Sequence, residues 1–270
     1  MPEGHTIHRL AEDYAAAFTD GTPTRVTSPQ GKFADAAALL DGTPLESADA
    51  HGKHLFLGFR ASEWIHIHLG LFGKVNFGGA PAPPPTDTVR LRLANPTTYV
   101  DLRGPTTCAL ITDDEKRAIH GRLGPDPLRP DADPSVAYHR VSRSRTTIAA
   151  LLMDQKIIAG VGNVYRAEVL FRHGIDPYRA GRDITPAEWD AIWADLVDLM
   201  REGVRNNRID TVRPAHAPEA MGRPPRVDDH GGEVYVYRRA NLPCHICGGE
   251  IRTAGLAARN LFWCPNCQHR

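Results

Sequence analysis

Excess charge of one sign, long apolar runs and disulfide-forming cysteine are all scarce in this chain. Its 32 Lys and Arg balance 32 Asp and Glu, so no global field draws it towards polyanions or anionic membranes. No apolar run is long enough to span a bilayer, and the opening MPEGHTIHRL lacks the apolar segment of a secretory leader. A cytoplasmic protein without membrane contact is expected. Only five cysteines occur in 270 residues, and Cys108 stands apart from Cys244, Cys247, Cys264 and Cys267. A disulfide framework would spread them, whereas metal ligation in a reducing compartment gathers them. Paired carboxylates beside the histidines are also wanting, so His66, His68 and the other histidines read as surface or core residues and not as a second metal site.

What is present divides the chain in three. A helix opens it, with Ile7, Leu10, Ala11 and Tyr14 at helical spacing. Short strands follow at Leu55–Phe59, Ile65–Leu69, Val89–Leu93 and Thr98–Val100, broken by the Gly- and Pro-rich run 78–85. They imply a sandwich or a barrel over roughly the first 120 residues. Gly124 to Pro130 reads as a linker. Helical periodicity then covers Thr147–Gln155, Val164–His173 and Pro186–Glu202, the last preceded by capping residues at Asp183 to Thr185. A Pro- and Gly-rich break from Arg213 to Gly232 is expected to be mobile. The fold class is α+β, with domains at 1–123, 131–212 and 234–270.

The spacing Cys244-x2-Cys247 and Cys264-x2-Cys267 predicts one closed, tetrahedral, structural Zn2+ on two knuckles, with a β-hairpin between them. Arg259 sits near the tip of that hairpin, where it could reach a phosphate. At the other end, Pro2 follows a removable Met1, and processing would leave a secondary amine beside the Glu3 carboxylate. An α-amino group titrates near ~8, so a neutral nucleophile is accessible at physiological pH, with Glu3 as proton shuttle. Gly160 and Gly162, before a helix, either let backbone N–H groups approach an anion or simply make a turn that Asn163 caps. Lys53, before a strand, reads as an exposed turn lysine. Leu71 and Phe72, in a turn after a strand, either fold into the core or wedge into a DNA stack vacated by a flipped base. The charge count also clusters: Arg140, Arg143, Arg145, Lys156, Arg166, Arg172 and Arg179 outnumber the acids around them, which suggests a basic face.

Together, Pro2-Glu3-Gly4, Gly52-Lys53-His54-Leu55, Ile67-His68-Leu69-Gly70, Gly160-Val161-Gly162-Asn163-Val164-Tyr165 with Glu168, and Val236-Tyr237-Arg238 running into the cysteine module resemble the formamidopyrimidine-DNA glycosylase and endonuclease VIII family. The likeness covers nearly the whole chain and looks closest to an endonuclease VIII-like branch of high-GC bacteria. It implies an N-terminal β-sandwich, a helix–two-turns–helix domain and a C-terminal zinc finger, with damaged double-stranded DNA in the cleft between. The implied activity is bifunctional base excision. Pro2 attacks C1′ and forms a Schiff base, Glu3 moves protons, Lys53 binds beside the lesion, Asn163 and Arg259 grip flanking phosphates, and Leu71 or Phe72 fills the void. Strand cleavage by β,δ-elimination follows. No phenylalanine follows Asp101–Pro105, which tilts the expected lesion towards oxidised pyrimidines. His5 and Thr6 stand where many members carry a proline and a glutamate. Single-stranded or bubble DNA is an alternative context, and a monomer is the expected state. A non-catalytic damage-binding protein and a zinc-ribbon RNA or translation factor are the competing readings, but neither accounts for the amine–carboxylate pair at Pro2-Glu3.

Overall fold

The computed structural model describes residues 2–60, 62–227 and 232–269. They form two compact units, one of Pro2 with residues 7–122, the other of Glu3–Thr6 with the chain from Leu123 onward.

In chain order the first elements are α1 (Gly4–Phe18), β1 (Pro23–Thr27), α2 (Ala34–Leu40), β2 (Thr43–Pro44), β3 (Ser47–His51), β4 (His54–Arg60), β5 (Glu63–His68), β6 (Lys74–Gly79), β7 (Val89–Ala94), β8 (Thr98–Arg103), β9 (Thr107–Thr112) and α3 (Asp113–His120). The strands make a five-stranded sheet, β2-β1-β7-β8-β6, and a four-stranded sheet, β3-β4-β5-β9. Alternation explains why they stack as a sandwich. Leu55, Leu57, Phe59, Ile65 and Ile67 point one way from the smaller sheet and join Val26, Leu91, Leu93, Val100 and Leu102 of the larger one in a single core. Burying one such side chain is worth about 2 kcal/mol. The same alternation sends His54, Phe56, His66 and His68 to the opposite face. Phe56 is fully buried there, outside the sandwich core.

The second unit contains α4 (Pro134–Val141), α5 (Ile148–Leu151), α6 (Asn163–Arg172), α7 (Pro186–Asn206), α8 (Pro218–Met221) and the hairpin β10 (Arg252–Leu256) with β11 (Arg259–Trp263). One apolar core joins Leu170, Trp189 and Met200 of the helices to Tyr235, Ile251, Leu261 and Phe262 of the cysteine module. The expected linker Gly124–Pro130 is a turn of this unit, in which the buried Asp126 accepts the Leu128 N–H at 2.9 Å.

The helix expected over Thr147–Gln155 stops at Leu151. Asp154 ends it by local competition: its side chain accepts the Lys156 N–H at 2.9 Å, and its carbonyl accepts from Ile157 and Ile158. In the Arg213–Gly232 break, α8 forms and Arg223 pairs with Glu233 at 2.7 Å; residues 228–231 of the expected mobile segment lie outside the described residues. Helix α7 starts where its cap signals place it. Thr185 and Glu188 form a reciprocal capping box, with Pro186 in the first turn. Thr185→Ala should therefore cost about 1 kcal/mol, read as a lower urea midpoint for the helical unit's fluorescence transition, and an unchanged midpoint would remove the cap from the stability argument.

Candidate active site and zinc centre

Helix α6 begins at a bare N-terminus. Its N-cap, Gly162, offers no side chain, so the first backbone N–H groups need another acceptor. Glu3 supplies it. Its Oε1 accepts the Val164 N–H at 2.8 Å, and its Oε2 accepts those of Gly162 at 3.0 Å and Tyr165 at 3.4 Å. The carboxylate is fully buried, a position that requires this density of donors and gains from the positive end of the helix dipole. Glycine is obligatory around it. A Cβ on Gly162 would lie 2.4 Å from the Glu3 Cδ, and one on Gly4 would lie 2.8 Å from the Gly160 Cα. Gly160 also has φ +88 and accepts the Gly4 N–H at 2.8 Å through its carbonyl. Of the two readings of this loop, the anion cradle describes it, and the anion is the protein's own carboxylate.

Asn163 follows as the first residue of α6. It is 4% exposed; its Nδ2 donates to the Asn260 carbonyl at 2.9 Å, and its Oδ1 accepts from Arg166. Arg166 is itself wholly buried and donates to the Ala149 carbonyl as well. Burial, opposed by the Glu3 charge and aided by the nearby Arg259, lowers its pKa to about 10. Arg259 starts β11, half-buried, directly after Ala257 and Ala258, which take φ 52 and φ 56. A tight turn with two alanines in the left-handed region stores strain at the hairpin tip. The basic face is thus smaller than the sequence count implies. Arg166 is buried, Arg172 pairs with Asp195 at 2.6 Å, and Arg179 pairs with Glu188 at 2.5 Å. Arg140, Arg143 and Arg145 remain exposed.

Pro2, half-buried, precedes Glu3 by one peptide bond and belongs with Lys53, Leu71 and Phe72 to the first unit. Lys53 occupies the two-residue turn between β3 and β4, whose flanking residues His51 and His54 are partnered. Leu71 is 47% and Phe72 83% exposed, so neither has folded into the core. They project from a turn bounded by Gly70, at φ +67, and Gly73.

Two contributors carried no role in the sequence reading. Arg166 counted there only as surface charge. Glu168, also fully buried, accepts backbone N–H groups from Tyr235, Val236 and Tyr237 at 2.7–2.8 Å and the Thr211 hydroxyl at 2.6 Å. It fastens the segment leading into the cysteine module to α6. An acid and a base among the apolar Val164, Ala167, Val169, Leu170 and Phe171 of one helix were the available signal.

The four thiols of Cys244, Cys247, Cys264 and Cys267 lie within 4.8 Å of one another. The Cys244–Cys267 and Cys247–Cys264 sulfurs are 3.8 and 3.5 Å apart, close to the about 3.8 Å edge of a tetrahedron with zinc–sulfur bonds of about 2.3 Å. The donor set fits one Zn2+ with no open coordination position.

Known proteins agree with this construction. Residues 1–108 match the formamidopyrimidine-DNA glycosylase N-terminal domain, residues 123–213 its H2TH domain, and residues 241–270 the zinc finger found in FPG and IleRS. Endonuclease 8 1 of Mycobacterium tuberculosis is 52% identical over 99% of this chain and 100% of its own length. The chain belongs to the formamidopyrimidine-DNA glycosylase and endonuclease VIII family.

Endonuclease 8 of Escherichia coli is 29% identical over the full length of both proteins. A Lactococcus lactis formamidopyrimidine-DNA glycosylase, solved in complex with DNA containing an oxidised pyrimidine, shares the fold at TM-score 0.78 and 19% identity over 100% of each chain. Members of this family are DNA-repair glycosylases with abasic-site lyase activity, and the zinc is structural. Two consequences are testable. Gly162→Ala should displace the Glu3 carboxylate and reduce strand cleavage by about tenfold or more while zinc content stays at one per chain; normal turnover would show that the clamp is dispensable. Cys264→Ser should release the metal and expose the amides of β10 and β11 to hydrogen exchange, because metal binding supplies the module's folding energy. Retained protection without zinc would contradict that.

Proposed function

We propose that this enzyme excises oxidised bases, pyrimidines foremost, from duplex DNA and cuts the strand through a Pro2 Schiff base. The observation that carries the reading is the Glu3 clamp, which anchors a carboxylate one peptide bond from the Pro2 nitrogen. After removal of Met1, the Pro2 lone pair attacks C1′ as the glycosidic bond breaks and the base leaves with a proton. Loss of the remaining nitrogen proton and opening of the sugar give an iminium ion between Pro2 and C1′. Glu3 delivers and collects the protons of these steps. The iminium acidifies the C2′ hydrogens, so β-elimination expels the 3′ phosphate; δ-elimination expels the 5′ phosphate, and water releases Pro2.

Binding roles follow from side-chain chemistry. Lys53, at a hairpin tip, suits a phosphate beside the lesion. Asn163 keeps one Nδ2 hydrogen beyond the bond to Asn260, and with Arg259 it suits the flanking phosphates. Exposed Leu71 and Phe72 suit the space left by an extruded nucleotide. The enzyme acts as a cytoplasmic monomer on damaged double-stranded DNA; no helix among the described residues is long and apolar enough to cross a membrane.

A second reading, an abasic-site lyase with little base excision, is favoured by one feature. Where many relatives carry a second carboxylate this chain has Thr6, whose hydroxyl lies 3.2 Å from the Nε2 of His5, itself buried edge-on against Tyr165 with ring centroids 5.4 Å apart. Borohydride trapping of the Met-processed enzyme on duplexes bearing thymine glycol, 8-oxoguanine or an abasic site separates the two. Adduct on thymine glycol, lost in Pro2→Ala, is the expected result. Adduct on the abasic duplex alone would select the lyase, and adduct on none would remove Pro2 as nucleophile.

A further inference from the structure

The outer face of the smaller sheet carries a chemistry that the proposed reaction does not use. Strand pairing sets His54 opposite His68 and, one pleat on, Phe56 opposite His66, while His51 pairs with His54 across the Gly52–Lys53 turn. All of these side chains share one face. The His54 Nδ1 and His66 Nε2 are 2.9 Å apart, a hydrogen bond within a pair of rings tilted only 20° from parallel. His68 lies 4.9 Å from His54 between ring centroids, and His120 of α3 packs on both His51 and Phe56 at 4.8 and 5.0 Å. Five histidines thus form the floor beneath the turn that carries Lys53.

We propose that this histidine floor positions Lys53 and loosens it on acidification, so that engagement of DNA is coupled to pH. The proposal rests on the reading of Lys53 as a phosphate ligand.

The charges around the floor make it intolerant of protons. Lys53 acts on His68 from the turn, and Arg122, just beyond α3, acts on His54 and His66. From α3, Lys116 lies over the Phe56 and Trp64 rings. The acid facing the cluster from β3 is Asp49, which pairs with Lys116 at 3.0 Å. Burial first, then the neighbouring histidines and Arg122, hold His54 down to about 3 and His66 to about 4, against an ordinary 6.5, and burial with Lys53 lowers His68 as well. The sign follows from proton linkage. The opened state takes up protons first, so the floor contributes its full stability above pH 6.5 and loses it as pH falls towards about 4. The His54–His66 bond needs one bare nitrogen. One proton adds a cation to a positive patch, and a second removes the acceptor. Because His51 and His54 are the two flanks of the turn, repulsion within the floor acts directly on the Lys53 backbone.

The test compares wild type with a His54→Phe/His66→Phe double variant, which keeps ring stacking and cannot titrate; His66→Phe alone serves if the double fails to fold. In the wild type, the Gly52 and Lys53 amide resonances should move with the His66 and then the His54 ring signals as pH falls from about 7.5 to about 4, and KM for an abasic duplex should rise about tenfold over that range. Titration of the Pro2 amine is common to wild type and variant and cancels in the comparison. In the folded variant the KM rise should shrink to about threefold or less. Ring titration without movement of the turn amides, or a variant KM profile that tracks wild type, would overturn the proposal. Lys53→Ala at about pH 7.5 tests the underlying assignment separately: an unchanged KM there discards Lys53 as a phosphate ligand, while the amide titration still decides whether the floor governs the turn.

Discussion

The capture of the Glu3 carboxylate by the first backbone N–H groups of α6 is the interaction on which the rest of this structure depends. A buried carboxylate is costly unless charge-assisted hydrogen bonds surround it. A helix without a capping side chain is equally incomplete. Each satisfies the other here. The bond network spans 159 to 162 residues of sequence, so it is a tertiary constraint and not a local motif. It demands glycine at positions 4 and 162, where a Cβ would meet backbone or the carboxylate itself, and at 160, where φ is +88. It also holds the residue that follows Pro2, and so limits the positions open to the N-terminal amine. The proposed nucleophile is thereby tethered without a side chain of its own being gripped.

Helix α6 extends that logic along its length. Asn163 through Phe171 are all buried, an unusual state for a helix carrying an asparagine, an arginine and a glutamate. Each polar group is matched. Arg166 and Asn163 reach the Asn260 carbonyl in the zinc hairpin, and Glu168 collects three consecutive N–H groups from residues 235–237. Removing one partner from such a set leaves a buried charge or donor unsatisfied, which costs more than the bond itself contributed. The zinc module is therefore fixed to the same helix that receives Glu3, and Arg259 inherits its position from that attachment.

Much of this was legible in the residues, and the failures have physical reasons. The cysteine spacing specified the metal because tetrahedral thiolate geometry allows few spacings. The capping signals of α7 worked because a cap is a contact within one turn. Periodicity failed at Thr147–Gln155, where the Asp154 side chain offers the backbone a competing acceptor. Composition overstated the basic face because counting charges cannot distinguish Arg143, which is exposed, from Arg166, which is wholly buried. The histidines were unreadable for a further reason. Their grouping depends on strand register, and a slip of one residue would send His54, His66 and His68 into the sandwich core.

That register also explains how a chain with no net charge can be suited to a polyanion. Affinity for phosphate comes from the few cations left uncompensated at defined points, not from the total. Arg92 is bound to Asp101 at 2.6 Å, Arg172 to Asp195, and Arg179 to Glu188, so these serve the fold. Lys53, at its hairpin tip, and Arg259, after the strained turn, are the cations proposed to meet phosphate, each on a short, locally determined support. Neutral histidines suit the floor beneath Lys53 for the same reason: they provide ring packing and one hydrogen bond without adding a counter-charge that would draw the ammonium away from a phosphate. A carboxylate at His54 or His66 would stabilise the turn and silence its lysine. Holding the imidazoles uncharged through burial adds no charge beside Lys53, at the cost of a structure that weakens when protons are abundant.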